Sequence, residues 1–223
     1  MTFEPLLLLS MWAAGLALTA AAVAWWDIVG RGYLWLTGAT AAVIGLATAF
    51  DSTPGLIAVV ATLIATALGG NRVLSSSLFA LAGGAFLLVA ANFDGWLAAI
   101  AGALALGGVT GEMLLGHWFL IDPQLPRWAL RRLDIAGGAG VVAEIVIAGV
   151  RGSLRAPTDL FGFAYFALAI TSLLLAVGVW YSLREKGYEG VMAATGLSYL
   201  ATLTVLAVVF LGRAPVEELL GLG

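Results

Sequence analysis

Two carboxyl groups stand inside long apolar runs of this sequence, Glu112 in Gly107-Gly108-Val109-Thr110-Gly111-Glu112 and Glu144 in Gly140-Val141-Val142-Ala143-Glu144. In hydrocarbon, an anionic carboxylate is costly without a cationic partner, and no Lys or Arg falls inside any predicted span. The pair is therefore a candidate site for a proton or a cation, and the null alternative is interhelical hydrogen bonding to hydroxyls such as Thr110, Ser172 or Tyr199. Glycines recur at helical spacing beside both, Gly108 and Gly116 around Glu112, and Gly137 and Gly140 before Glu144. Small residues allow close helix approach, so both carboxyls are expected to point into a bundle, and on antiparallel neighbouring helices they could share a level.

His117 is the single histidine, followed by Trp118. Neutral imidazole is a common haem ligand. A haem on His117 would need Met192 or another chain as its second ligand, and a quinone contact at His117 and Trp118 is the other reading. The stretch Asp122-Pro-Gln-Leu-Pro-Arg-Trp-Ala-Leu-Arg-Arg carries the largest basic cluster, Arg127, Arg131 and Arg132. These arginines read first as an anchor, with a local ion pair to Asp134, and second as contacts to lipid headgroups or to a partner. Asp51, Asp94 and Asp159 read as solvated turns at helix ends.

The elements holding these residues follow from composition. The chain has 223 residues, 62% hydrophobic and 10% charged, with a mean hydropathy of +1.05. A soluble domain is about 25% charged. Crossing a bilayer takes roughly 20 apolar residues per helix, and eight runs qualify: Leu6–Trp26, Tyr33–Phe50, Pro54–Gly70, Val73–Asn92, Trp96–Leu120, Leu133–Val150, Leu160–Leu183 and Tyr188–Leu211. The expectation is a single all-α, polytopic membrane bundle of about eight transmembrane helices, joined by short turns except at 121–132 and 151–159.

Orientation follows from basic residues. One set of connections holds Arg31, Arg72, Arg127, Arg131, Arg132, Arg184 and Lys186, and the other holds Arg151, Arg155 and Arg213. Placing the richer set in the cytoplasm puts both termini outside. The start Met-Thr-Phe-Glu-Pro lacks a basic n-region, so the first helix is expected to be retained. Trp25, Trp26, Trp35, Trp118, Trp128, Trp180, Tyr33, Tyr181 and Tyr188 fall at the same predicted ends, as a one-sided interfacial belt.

Several functions are excluded or disfavoured. With no cysteine there are no disulfides, thiolate metal sites or cysteine nucleophiles. A formal charge of −3 without a basic run argues against nucleic acid. No metalloprotease, serine-hydrolase or phosphate-loop motif is present, so an enzyme is disfavoured, and a lipid-modifying enzyme using a glutamate ranks last. The leading expectation is a multi-pass subunit of an energy-transducing or electron-transfer complex in the plasma or inner membrane, with other subunits or further copies of itself as partners. The alternative is a small secondary transporter or channel coupled through Glu112 and Glu144. Proline is absent from span interiors, which weighs mildly against a transporter's broken helices.

Overall fold

The computed structural model describes residues 5–119, 121–151 and 160–213, and every described element is helical. Six helices of 22 to 24 residues are long and apolar enough to cross a bilayer: α1 (Pro5–Trp26), α5 (Arg72–Asp94), α6 (Trp96–Trp118), α7 (Arg127–Val150), α8 (Leu160–Ser182) and α9 (Tyr188–Leu211). At 1.5 Å per residue each reaches about 33–36 Å, beyond the ~30 Å hydrocarbon core. The chain is a multi-pass helical membrane protein.

The second and third expected spans take another form. Tyr33–Phe50 divides into α2 (Arg31–Gly45) and the single turn α3 (Thr48–Asp51), and α4 runs Thr53–Ala67. With 15 residues each, α2 and α4 are about 22 Å long, short of a full crossing. The break has local causes. Thr48 Oγ1 donates to the Gly45 carbonyl at 2.6 Å, competing with the helical ladder. Ser52 is extended and its Oγ accepts the Gly55 amide at 3.2 Å, with Pro54 in the first turn of α4, a fresh N-cap where one helix was expected. The α2–α4 hairpin closes near Gly70, which lies against the Arg31 guanidinium.

A second boundary also moves. α7 begins at Arg127, six residues before the expected Leu133, because Pro126 is a ready helix start and Arg127–Leu133 continues the helix without a breaker. Leu120, the connection 152–159 with Arg155 and Asp159, and the first four residues lie outside the described residues.

The centre of the bundle is α1 with α6, the two most enclosed spans, while α8 lies outermost. Glycine sets these distances. A Cβ on Gly15 or Gly107 would fall inside the other helix's backbone, and Thr19 Oγ1 bonds both the Gly15 carbonyl (2.8 Å) and the Gly107 carbonyl (3.1 Å). On the other side of α6, Gly108 backs onto Gly137, and Gly140 onto Ala105. Lipid supplies no hydrophobic drive between helices, so this close packing holds them together.

The two basic sets segregate to opposite ends. At one end Arg72 lies over Trp25, Arg132 over Trp26, and Arg127 and Arg131 bond carbonyls of the α8–α9 turn. At the other, Arg151 and Arg213 converge on Asp94.

Candidate functional site

The antiparallel α6–α7 contact fixes the height of each carboxyl. Gly108 faces Gly137, Gly140 faces Ala105, and a Cβ on Gly102 would stand 3.4 Å from Glu144 Oε1. Glu144 therefore lies level with Gly102, ten residues from Glu112 along α6, or about 15 Å. The two glutamates do not share a level, and they form separate sites at the two ends of the bundle. A shared level would need α7 to begin near Leu133, and it begins at Arg127.

Glu112 lies level with Asp134. Both are buried, at 2% and 7% exposure, and within electrostatic reach of each other. α9 brings Ser198, whose hydroxyl donates to Glu112 Oε2, while the same Oγ bonds the Ala194 carbonyl at 2.8 Å. α2 brings Tyr33, fully buried and within electrostatic reach of Glu112, with Thr37 one turn on. Glu112 Oε1 is buried without a hydrogen-bond partner, and the buried Tyr33 and Thr37 hydroxyls have only each other within reach. An unpartnered buried polar atom is expensive and marks a functional candidate. Asp134 pairs with neither Arg131 nor Arg132. Its flanking arginines suggested a surface ion pair, but Asp134 is buried, while Arg131 bonds the Leu183 carbonyl and Arg132 lies over Trp26 and Trp128.

Glu144 has a partner that the sequence reading missed. Arg213, just past α9, folds back with its side chain 8% exposed. Its Nη1 and Nη2 bond Glu144 at 2.5 and 2.8 Å, its Nε bonds Asp94 at 3.0 Å, and the carbonyls of Ala98 (3.0 Å) and Val209 (3.2 Å) take the rest. All five guanidinium donors are thus engaged. Burial opposes the Arg213 charge, and the Glu144 and Asp94 carboxylates more than offset that, so its pKa stands above the ordinary arginine value. Asp94 is no solvated turn, because Arg151 completes a four-residue ion cluster across the ends of α5, α7 and α9. The missed signal was reach: Arg213 lies two residues beyond α9, near enough for a long side chain to return inward.

The expected haem or quinone residues have different surroundings. His117 is exposed, and its Nδ1 is 3.5 Å from Tyr199 Oη. Trp118 packs on α2 against Gly32 and Tyr33 (6.4 Å between rings), and Met192 sits 41% exposed on the outer face of α9. Tyr33 leaves the expected aromatic belt for the core. The arginines also separate. Arg127 bonds the carbonyls of Glu185, Lys186 and Gly187, and Arg131 bonds the Leu183 carbonyl (2.8 Å) and stacks on Trp180. Among the described residues, Arg132 alone of the three keeps its guanidinium free of carbonyl or carboxylate, lying over Trp26 (5.8 Å) and Trp128 (4.6 Å).

Among the described residues no three His, Cys, Asp or Glu side chains gather as a metal site. The Glu112 group offers two carboxyls and three hydroxyls, a set suited to a proton or a monovalent cation. Compared with protein-family models, curated proteins and solved structures, the chain matches none.

Proposed function

We propose that this chain handles protons within the membrane, with Glu112 as the group that takes up and releases the proton and Asp134, Ser198 and Tyr33 as its immediate partners. The observation that carries this is the unpartnered, buried Glu112 Oε1 beside a second buried carboxyl. A carboxylate pair without a cation is costly in a low-dielectric interior, and a proton or a monovalent cation relieves that cost.

The site lies nearer one face than the other. Glu112 is six residues from the end of α6 and Asp134 seven from the start of α7, about 9 and 10 Å from the arginine-rich face. Toward the other face, buried Leu106, Val141, Val205 and Val209 close the bundle before the Arg213 cluster begins. Toward the arginine-rich face, buried Leu115, Phe119 and Leu130 cover the site as well, and a carboxyl closed off on both sides suits a small secondary transporter better than an open channel. The arginine-rich face is the cytoplasmic one by the charge rule, and the plasma or inner membrane is the setting.

A second reading, an integral subunit of an energy-transducing or electron-transfer assembly, is favoured by the collar of Trp25, Trp128, Tyr181 and Tyr188 exposed at that same face. Proton handling at Glu112 is common to both.

Labelling tests the site. Dicyclohexylcarbodiimide modifies protonated carboxyls in apolar surroundings, and peptide mapping locates the adduct. The adduct is expected on Glu112, forming faster as pH falls, and not on Glu144, whose two oxygens are both occupied by Arg213. Slowing by sodium or potassium would mean that a cation exchanges with the proton. Label on Glu144 with Glu112 unreactive at every pH would overturn the proposal.

A further inference from the structure

A groove of about 260 Å³ runs along the membrane-facing side of α6, away from the Glu112 group. Its floor is Ile100, Ala103, Leu104 and Gly108, and α1 and α7 rise on either side. The two walls meet at the arginine-rich end, where Trp26 and Trp128 pack edge to face with ring centroids 5.0 Å apart. Arg132 lies over both rings at that closed end and also lines the groove.

The dimensions identify the occupant. Along α1 the lining runs from Gly15 to Trp26, eleven residues, or about 16 Å. Half of a ~30 Å hydrocarbon core is about 15 Å, the depth of one leaflet and of one extended acyl chain. The lining is apolar throughout that length apart from Thr19, whose hydroxyl is committed to the Gly15 and Gly107 carbonyls. At the headgroup end the one cation is Arg132, exposed, and without a carboxylate or hydrogen-bond acceptor among the described residues. A guanidinium that its own protein leaves unneutralised, held rigid by two indoles at headgroup depth, complements a phosphate.

We infer that this groove is a binding site for one anionic glycerophospholipid, its acyl chain lying along α6 between α1 and α7 and its phosphate on Arg132. The site stands independently of Glu112. The Trp26–Trp128 contact orients Arg132 and closes the groove above the chain, so the lipid both fills the gap between α1 and α7 and neutralises the charge at its mouth.

Nanodiscs of equal phosphatidylglycerol and phosphatidylcholine, followed by native mass spectrometry of the released protein, test this. Wild-type protein is expected to retain one phosphatidylglycerol in preference to phosphatidylcholine by roughly fivefold or more, the scale of one arginine at a headgroup. Arg132→Gln should abolish the preference while lipid is still retained. Ala136→Phe, which adds a ring inside the groove, should abolish retention of both lipids. Arg132→Lys keeps the charge and should keep a reduced preference, which separates loss of charge from loss of fold. Equal retention of the two lipids by wild type would overturn the proposal, as would a phosphatidylglycerol preference that survives both Arg132→Gln and Ala136→Phe.

Discussion

Arg213→Met is the most informative structural perturbation. The wild-type guanidinium uses all five donors on Glu144, Asp94 and two carbonyls, with side-chain exposures of 8%, 4% and 13% for Arg213, Glu144 and Asp94. Removing it strands the Glu144 carboxylate and leaves Asp94 with only the partly exposed Arg151. Breaking one side of a buried ion pair costs about 3–5 kcal/mol, roughly a hundred- to several-thousandfold in the unfolding equilibrium. Unfolding in mixed detergent and dodecyl sulfate micelles, followed by near-ultraviolet dichroism, measures the loss. Two features identify the cause. The penalty should shrink as pH falls, because protonating Glu144 removes the stranded charge. Adding Glu144→Leu should recover more than half of it, since an apolar replacement of the whole pair is close to neutral. A variant within ~1 kcal/mol of wild type, or a double variant whose losses simply add, would refute a cooperative buried cluster.

Gly107→Ala should destabilise by about 1–3 kcal/mol because the methyl collides with the Gly15 backbone, whereas Gly84→Ala, with open space around it, should be neutral or slightly stabilising in the same unfolding assay. Tyr33→Phe removes a buried hydroxyl whose one neighbouring partner is the Thr37 hydroxyl, so stability should change by no more than ~1 kcal/mol, while carbodiimide labelling of Glu112 changes severalfold; a larger loss of stability would show that the hydroxyl is a structural bond of the core.

Composition and apolar run length sufficed for the all-helical membrane class, and Gly108, Gly137 and Gly140 do lie where α6 meets α7, while Gly107 and Gly111 meet α1. Heights were not legible, because they depend on where each helix starts. A proline-rich stretch read as a loop hid one and a half turns of α7, which moved Glu144 away from Glu112 and brought Asp134 toward it. Short-range signals misled at Asp134 too, because the arginines beside it engage other groups, Arg131 the Leu183 carbonyl and Arg132 the rings of Trp26 and Trp128. Arg213 and Asp94 were read as loop residues, and nothing in a single sequence shows that a side chain at one helix end returns to a carboxyl on another helix. The division of the second span was partly visible, since Thr48, Ser52 and Pro54 are all residues that interrupt or restart a helix.

Proton flux tests the central claim most directly. The detergent-purified protein, with any subunits that accompany it, is placed in vesicles loaded with a pH-sensitive dye, and a potassium diffusion potential is imposed. Wild type should acidify or alkalinise the lumen faster than empty vesicles, and Glu112→Gln should cut that rate at least tenfold while Glu185→Gln, in the exposed α8–α9 turn, leaves it unchanged. Wild-type flux in Glu112→Gln, or no flux above empty vesicles from the wild-type preparation, would contradict a proton-handling role for this site.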